Sequence, residues 1–253
     1  MISLKTQSLI AVLTVTSMLT ACQNPDSAAE QASETASPDA ETARLNGWLD
    51  ERYEEQLQFS PMNLTVLGRK EHYDAIDDIS EQAARDQAAW GMRTVEQMKA
   101  EFDRDSLTTV GRQSFDLWAF QAEKAVKDLQ FMRHGYLFGE LGGWEDWFPT
   151  FLINFHKVDD EADMRAYIAR IGGVSRAMDQ VVEMATAGAS YGVRAPRFAY
   201  ERAMARAESV ITGQPFGDGP DSPLLADAKG KIDALATAGL IDEDTASGLL
   251  GAV

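Results

Sequence analysis

The sequence predicts an all-α protein, built as a bundle of several helices, and three observations support this fold class. From Arg44 onward, apolar residues recur at steps of three and four residues, which is the spacing of one face of an α-helix. Ser-Pro pairs and single glycines stand where such segments begin and end. No Asn-Gly or Asp-Gly turn separates two alternating apolar runs, because Asp218-Gly219 is flanked by Gly and Pro and is typical of a loop.

Two helices are predicted at the start of this region. The apolar face of the first consists of Leu45, Trp48, Leu49, Tyr53 and Leu57. Ser60 is a candidate N-cap, and Pro61 suits the first helical position because its missing N–H would have no partner there. Gly68 is expected to end this short second helix.

The third and fourth helices are predicted to form an antiparallel hairpin. Their candidate N-caps are Ser80 and Thr108, and small residues on both apolar faces permit close approach of the two backbones. The third face consists of Ala84, Ala88, Gly91, Val95, Met98 and Phe102. The fourth face consists of Phe115, Trp118, Ala122, Ala125, Leu129 and Met132.

Four more helices are predicted after a long aromatic segment. Asp160 caps the fifth, Gly172-Gly173 kinks it or admits a close neighbour, and Gly188 is expected to stop it. The predicted starts of the remaining helices are Pro196, Ser222-Pro223 and Asp242, and Gly239 ends the seventh. The expected apolar face of the sixth is Phe198, Met204, Ala207 and Ile211.

The first 21 residues resemble a lipoprotein signal peptide. Lys5 supplies a positive start, and the uncharged apolar run Ser8–Leu19 is too short to cross a bilayer of roughly 30 Å. Leu19-Thr20-Ala21-Cys22 resembles the bacterial lipobox, which implies a diacylglycerol on the Cys22 sulfur and a membrane partner. The alternative is an ordinary signal peptide with a chance cysteine. In the sorting rule of Gram-negative lipoproteins, an Asp after the lipidated cysteine retains the protein in the inner membrane. By resemblance to that rule, Gln23 favours the outer membrane, with the protein facing the periplasm.

Residues 22–43 are predicted to form a lipidated, disordered acidic tether, and residues 44–253 a helical domain. After Cys22 the tether has no aromatic residue, no Leu, Ile or Val and no basic residue, so it lacks the apolar area to offset the entropy of ordering.

The overall composition excludes several classes of protein. The 253 residues carry 23 Lys and Arg against 40 Asp and Glu, a net charge of -17. A field of this sign repels phosphate backbones, so we expect no nucleic-acid partner. The single cysteine excludes an internal disulfide and a multi-cysteine metal site.

The segment Gly188-Ala189-Ser190-Tyr191-Gly192 matches the G-x-S-x-G pattern of serine hydrolases. A nucleophile elbow needs a strand before the serine, whereas the pattern here predicts a helix. A serine hydrolase using Ser190 is therefore a minor hypothesis, and no catalytic residue is assigned.

The other chemically suggestive residues favour structural roles. His72, His134 and His156 show no pairing at helical spacing, so no metal site and no cofactor is assigned. The acidic pairs are Asp77-Asp78, Glu145-Asp146 and Asp159-Asp160, and they are candidates for acid–base chemistry or simply solvated.

The aromatic segment between the fourth and fifth helices leaves two possibilities open. It spans Tyr136–Phe155 and mixes seven aromatic rings with three glycines. The rings either plug one end of the helical core, the favoured interpretation, or form a cleft wall. The candidate cleft-wall residues are Trp144, Trp147, Phe148 and His156.

Four segments together resemble the N-terminal part of the bacterial "domain of unknown function 885" family. They are Leu45–Gly68, Phe151–Asp160, Tyr167–Val174 and Ala195–Tyr200, and the resemblance covers roughly Arg44 to Val253. It implies an all-helical fold of about twice this length, often on a lipoprotein. It also implies a zinc-metallopeptidase-like activity that resides in a later H-E-x-x-x-G-H-like string, with zinc as the cofactor of full-length relatives.

No His-Glu dipeptide occurs in this chain, so no metal ligand carries over. The resemblance favours a fragment, the N-terminal helical half of a membrane-anchored, peptidase-like hydrolase that is inert alone and lacks its C-terminal half. The alternative is a complete periplasmic helical binding or interaction lipoprotein.

Overall fold

The computed structural model describes residues 37–139 and 141–253, and it confirms the all-α prediction there, with no β-strand beyond isolated bridges. The described α-helices are α1 (Pro38–Leu57), α2 (Pro61–Val66), α3 (Glu81–Glu101), α4 (Thr109–Asp128), α5 (Trp144–Asn154), α6 (Glu161–Ser190), α7 (Arg197–Val210), α8 (Pro223–Thr237) and α9 (Glu243–Ala252). Within these ranges, none of the helices combines the length and apolar character needed to span a bilayer.

The predicted helix starts are confirmed where a polar side chain caps the first turn. Side-chain oxygens of Ser60, Ser80, Thr108, Asp160 and Asp242 each accept a hydrogen bond from the backbone N–H three residues later. Gly68 and Gly239 have φ values of 81° and 68°, as expected for residues that end helices.

The first helix begins at Pro38, so the predicted tether boundary at residue 43 is wrong. Ser37 accepts a hydrogen bond from Ala40 N at 3.2 Å, and Asp39 and Glu41 lie in the positive first turn. Capping and the helix dipole thus extend the helix through an acidic stretch that has no apolar face. Residues 1–36, including the predicted signal peptide, Cys22 and most of the tether, lie outside the described part of the chain.

Gly188 does not end the long helix α6, which continues to Ser190. The positive φ of 83° belongs to Gly192 instead. A Cβ atom on Gly188 would lie 3.1 Å from the carbonyl oxygen of Arg133, so this glycine permits a close backbone contact. Gly172 and Gly173 do not interrupt the helix, and Gly173 packs closely on Ile76.

The hairpin of α3 and α4 is confirmed, and it builds the first of two cores. A Cβ atom on Gly91 would lie 3.4 Å from Ala122 Cβ, and Trp118 Nε1 donates to Thr94 Oγ1 at 3.0 Å, which fixes an antiparallel register. This core contains Leu45, Trp48, Met98, Phe102, Leu107 and Phe115.

The second core joins α5, α6, α8 and α9 to the segment after α1. Its most buried members include Phe148, Phe151, Leu152, Met164, Tyr167, Ala228 and Leu249. Helix α7 buries little apolar side-chain volume, because its buried residues are the small Ala199 and Ala203.

The predicted apolar face of the sixth helix is largely exposed on α7. Phe198, Met204 and Ile211 are all exposed, Met204 to 62%, because the helix packs through its small alanines instead. Tyr53 on α1 is exposed as well. Periodicity identified these residues as one helical face, but it did not identify what would cover that face.

Candidate functional site

The aromatic segment forms α5, a helix that the sequence analysis did not predict. Phe148 is almost fully buried in the second core, and Trp144 packs against it with ring centroids 5.4 Å apart. Trp147 is 38% exposed and contacts the Phe155 ring at 6.0 Å. The rings therefore close one end of the core.

His156 lies inside this core and cannot line an open cleft. Its Nε2 donates to the Asp163 carbonyl oxygen at 3.0 Å, and its Nδ1 accepts from Arg170 Nη1 at 2.8 Å. The ring stacks on Tyr73 with centroids 4.1 Å apart. Burial lowers the pKa of His156 to about 4, so the imidazole is neutral at pH 7. Phe148 and His156 are thus core residues, a correction to the predicted cleft wall.

Arg170, on α6, is the centre of a buried polar network that the sequence analysis missed. Its side chain is fully buried and donates from Nε to the Ala75 carbonyl oxygen at 2.9 Å and from Nη2 to Thr65 Oγ1 at 2.7 Å. The guanidinium lies 4.8 Å from the Tyr73 ring centroid. Burial lowers the pKa of Arg170 to about 10, so the group stays charged at pH 7. Its place three residues after Tyr167, on the apolar face of α6, was the available signal.

Two of the three acidic pairs hold local structure. Asp77 accepts from Ser60 Oγ at 2.6 Å and from Met62 N at 2.8 Å, which joins α2 to the segment after it. Asp159 pairs with Lys70 at 2.7 Å, and this pair ties the same segment to the start of α6. These two carboxylates are therefore held by hydrogen bonds and an ion pair, whereas the sequence analysis expected acid–base chemistry or simple solvation.

Ser190 is not a nucleophile in an elbow. It is the last residue of α6, so a helix precedes it, and its Oγ donates to the Ala187 carbonyl oxygen at 2.6 Å. The serine hydrolase hypothesis is therefore wrong on its own structural criterion.

An open cavity of about 370 Å³ lies between the C-terminal half of α6, helix α7 and Phe138. This volume is within the range of small-molecule sites. The apolar walls include Met178, Val182, Ala185, Ala203 and Met204. The exposed face of α7 continues from this cavity through Met204.

Glu145 lines the same cavity and differs from the other paired acids. The residue is only 6% exposed, and its Oε1 accepts from Arg206 Nη2 at 2.7 Å. Arg206 also donates to the Gly139 carbonyl oxygen at 2.5 Å. The Glu145 Oε2 atom is buried and has no hydrogen-bond partner among the described residues. An unsatisfied buried carboxylate oxygen costs free energy, and most buried polar atoms in proteins have a hydrogen-bond partner.

The donor set of the described residues does not fit a zinc ion. Residues 37–139 and 141–253 contain no group of three or more His, Cys, Asp or Glu side chains placed to hold a metal. Both ring nitrogens of His156 are already hydrogen-bonded. We therefore derive no chemical step through a metal in this chain.

Comparison with known proteins identifies a family. A family model described as "Bacterial protein of unknown function (DUF885)" matches residues 61–247. No curated protein and no solved structure matches the chain.

Proposed function

Since the chain belongs to the DUF885 family of bacterial proteins of unknown function, we propose that it is the helical, non-catalytic part of a membrane-tethered, peptidase-like hydrolase. In this proposal α6 and α7 supply one wall of the substrate cleft. The catalytic zinc motif would occur in full-length relatives, and this chain alone would not hydrolyse peptides.

The cavity between α6 and α7 is the observation that carries the proposal. It combines an apolar wall, suited to the side chains of a peptide, with the buried carboxylate of Glu145. Sites of this kind have mostly apolar walls and a few polar groups that fix orientation. The exposed apolar residues of α7 border the cavity, and exposed apolar patches mark binding surfaces.

Peptide binding without turnover tests this wall. Fluorescent peptides rich in Leu and Phe should bind the protein, and Val182→Asp or Met204→Asp should weaken binding about tenfold, since each places a charge in the apolar cavity. Val110→Asp, at an exposed valine on α4, is the matched control and should leave binding unchanged. Equal effects of Val110→Asp and Val182→Asp would contradict the assignment.

Inertness is tested by assaying the purified protein with zinc against mixed peptides. We expect no hydrolysis above the blank, because the chain has no His-Glu dipeptide. Turnover that a chelator abolishes would overturn this part of the proposal.

Membrane anchoring through Cys22 is a separate part of the proposal. Metabolic labelling with a radioactive fatty acid should mark the protein, and Cys22→Ser should abolish the label whereas Ser17→Ala should not. Gln23→Asp should retain the label but move the protein from the outer-membrane to the inner-membrane fraction. Label that survives in Cys22→Ser would rule out the lipoprotein assignment.

The alternative is a periplasmic binding or interaction lipoprotein, and the same cavity supports it. The two functions differ in the DNA that they require directly downstream of the codon for Val253. An in-frame continuation that encodes a histidine–glutamate motif supports the hydrolase part, and a stop codon supports the binding protein.

A further inference from the structure

A second cavity lies along the hairpin of α3 and α4, and none of its lining residues belongs to α6 or α7. It has a volume of about 410 Å³, again within the range of small-molecule sites. Gly91 and Ala122, where the two helices are in close contact, are among its lining residues. Phe59, two residues after the end of α1, also borders it.

Three aromatic side chains form the wall of this cavity, which we call the aromatic groove. The ring centroids of Phe59 and Trp90 are 5.5 Å apart at 67°, and those of Trp90 and Trp118 are 6.2 Å apart at 72°. The Trp118 indole N–H is used by Thr94, so the ring presents carbon surface to the groove. Neither tryptophan is fully buried, which leaves part of each ring accessible.

Most of the polar side chains that line the aromatic groove are uncharged. They are the amides of Gln56, Gln87 and Gln121, and all three residues are exposed to solvent. Each amide both donates and accepts. No Lys or Arg lines the groove, and the carboxylate in its lining, Asp128, pairs with Lys124.

We propose that the aromatic groove binds a neutral sugar of one or two rings. A sugar ring has C–H faces that pack on the negative face of an indole, and hydroxyls that both donate and accept, as the three amides do. A hydrocarbon chain would displace water from these amides without replacing their hydrogen bonds.

Calorimetric titration of the protein with cellobiose and with diacetylchitobiose tests the proposal. The protein is expressed without residues 1–21 and with Cys22→Ser, which retains the whole described part of the chain. We expect saturable binding of at least one disaccharide below about 10 mM, an affinity ordinary for a small neutral ligand.

Two sets of variants locate the site. Gln87→Ala with Gln121→Ala should weaken binding at least tenfold, whereas Gln97→Ala with Gln113→Ala, at exposed glutamines on the same two helices, should not. Ala125→Trp fills the groove from an exposed position and should abolish binding, so this variant does not depend on damage to the core.

Ala89→Trp, on an exposed residue of α3 outside the groove, is the matched control for Ala125→Trp. Saturable binding that Ala125→Trp removes and Ala89→Trp leaves supports the proposal. Absence of sugar binding, or binding that Ala125→Trp leaves intact, overturns it. Binding of a decaproline peptide in place of either sugar overturns it as well.

Discussion

Replacing Arg170 by Met tests whether the buried guanidinium network stabilises the fold. The variant keeps a long unbranched side chain but removes every donor. It leaves the Ala75 carbonyl oxygen and His156 Nδ1 buried without their partner, whereas the Thr65 hydroxyl still donates to the Pro61 carbonyl oxygen. The first two atoms are therefore the main source of the expected destabilisation.

The magnitude is set by these two acceptors. Each stranded acceptor costs roughly 1–3 kcal/mol, and the apolar methionine recovers part of this by burial, so we expect a loss of about 3 kcal/mol. In a domain of this size that corresponds to a fall in Tm of about 6–12 °C. Arg170→Lys retains the charge and part of the donor set, so it should lose about half as much.

Urea denaturation followed by circular dichroism measures these differences. Arg165→Met is the matched control, because Arg165 lies on the same helix with its side chain exposed, and it should change stability by less than about 0.5 kcal/mol. If Arg170→Met is as stable as the unmodified protein, the network does not stabilise the fold and our reasoning is refuted.

The remaining predictions concern pH, helix packing and capping. His156 has a pKa of about 4 in the fold against about 6.5 when unfolded, so the unfolded chain takes up its proton first, and stability should fall as the pH drops from 6.5 toward 4. His156→Gln should show a smaller fall in denaturation titrations, and an unchanged profile would contradict this origin. Gly172→Ala should stabilise the protein by about 0.5–1 kcal/mol, because alanine favours a helix more than glycine does. Gly173→Ala should stabilise it less or destabilise it, because the new Cβ would lie 3.2 Å from Ile76 Cγ1. Equal melting temperatures of the two variants would show that this contact does not affect stability. Ser37→Ala should lower the free energy of unfolding by about 1 kcal/mol and increase amide hydrogen exchange in the first turn of α1. Unchanged exchange would show that this cap does not stabilise the helix.

Local rules predicted the parts of the fold that depend on a few neighbouring residues. The caps at Ser60, Ser80 and Asp160 were predicted because a side-chain oxygen near the first turn satisfies a backbone N–H wherever the helix packs. The hairpin of α3 and α4 was predicted from two apolar faces with a short connection. Ser37-Pro38 is also a Ser-Pro pair, but the prediction for residues 22–43 rested on their acidic composition, which is poor in apolar residues.

The features that were not predicted all depend on tertiary contacts. Helix α5 contains Pro149 and begins after glycines, which are poor helix formers, so the sequence analysis assigned no helix there. Burial of Phe148 and Phe151 outweighs this local preference. The burial of Arg170 could not be predicted, because its hydrogen-bond acceptors belong to residues about 100 positions earlier in the chain. Burial of Glu145 likewise depends on Arg206, which the sequence places on a different helix.

If Cys22 carries a lipid, the early start of α1 would limit how far the helical region could lie from the membrane. If Cys22 carries the lipid, only 16 residue steps separate the anchor from Pro38, and a fully extended chain of that length reaches about 55 Å. A start at Arg44 would have allowed about 75 Å. With such an anchor, the first residue of α1 would lie within about 55 Å of the bilayer, so a ligand would have to approach the lipid surface to reach this end of the protein.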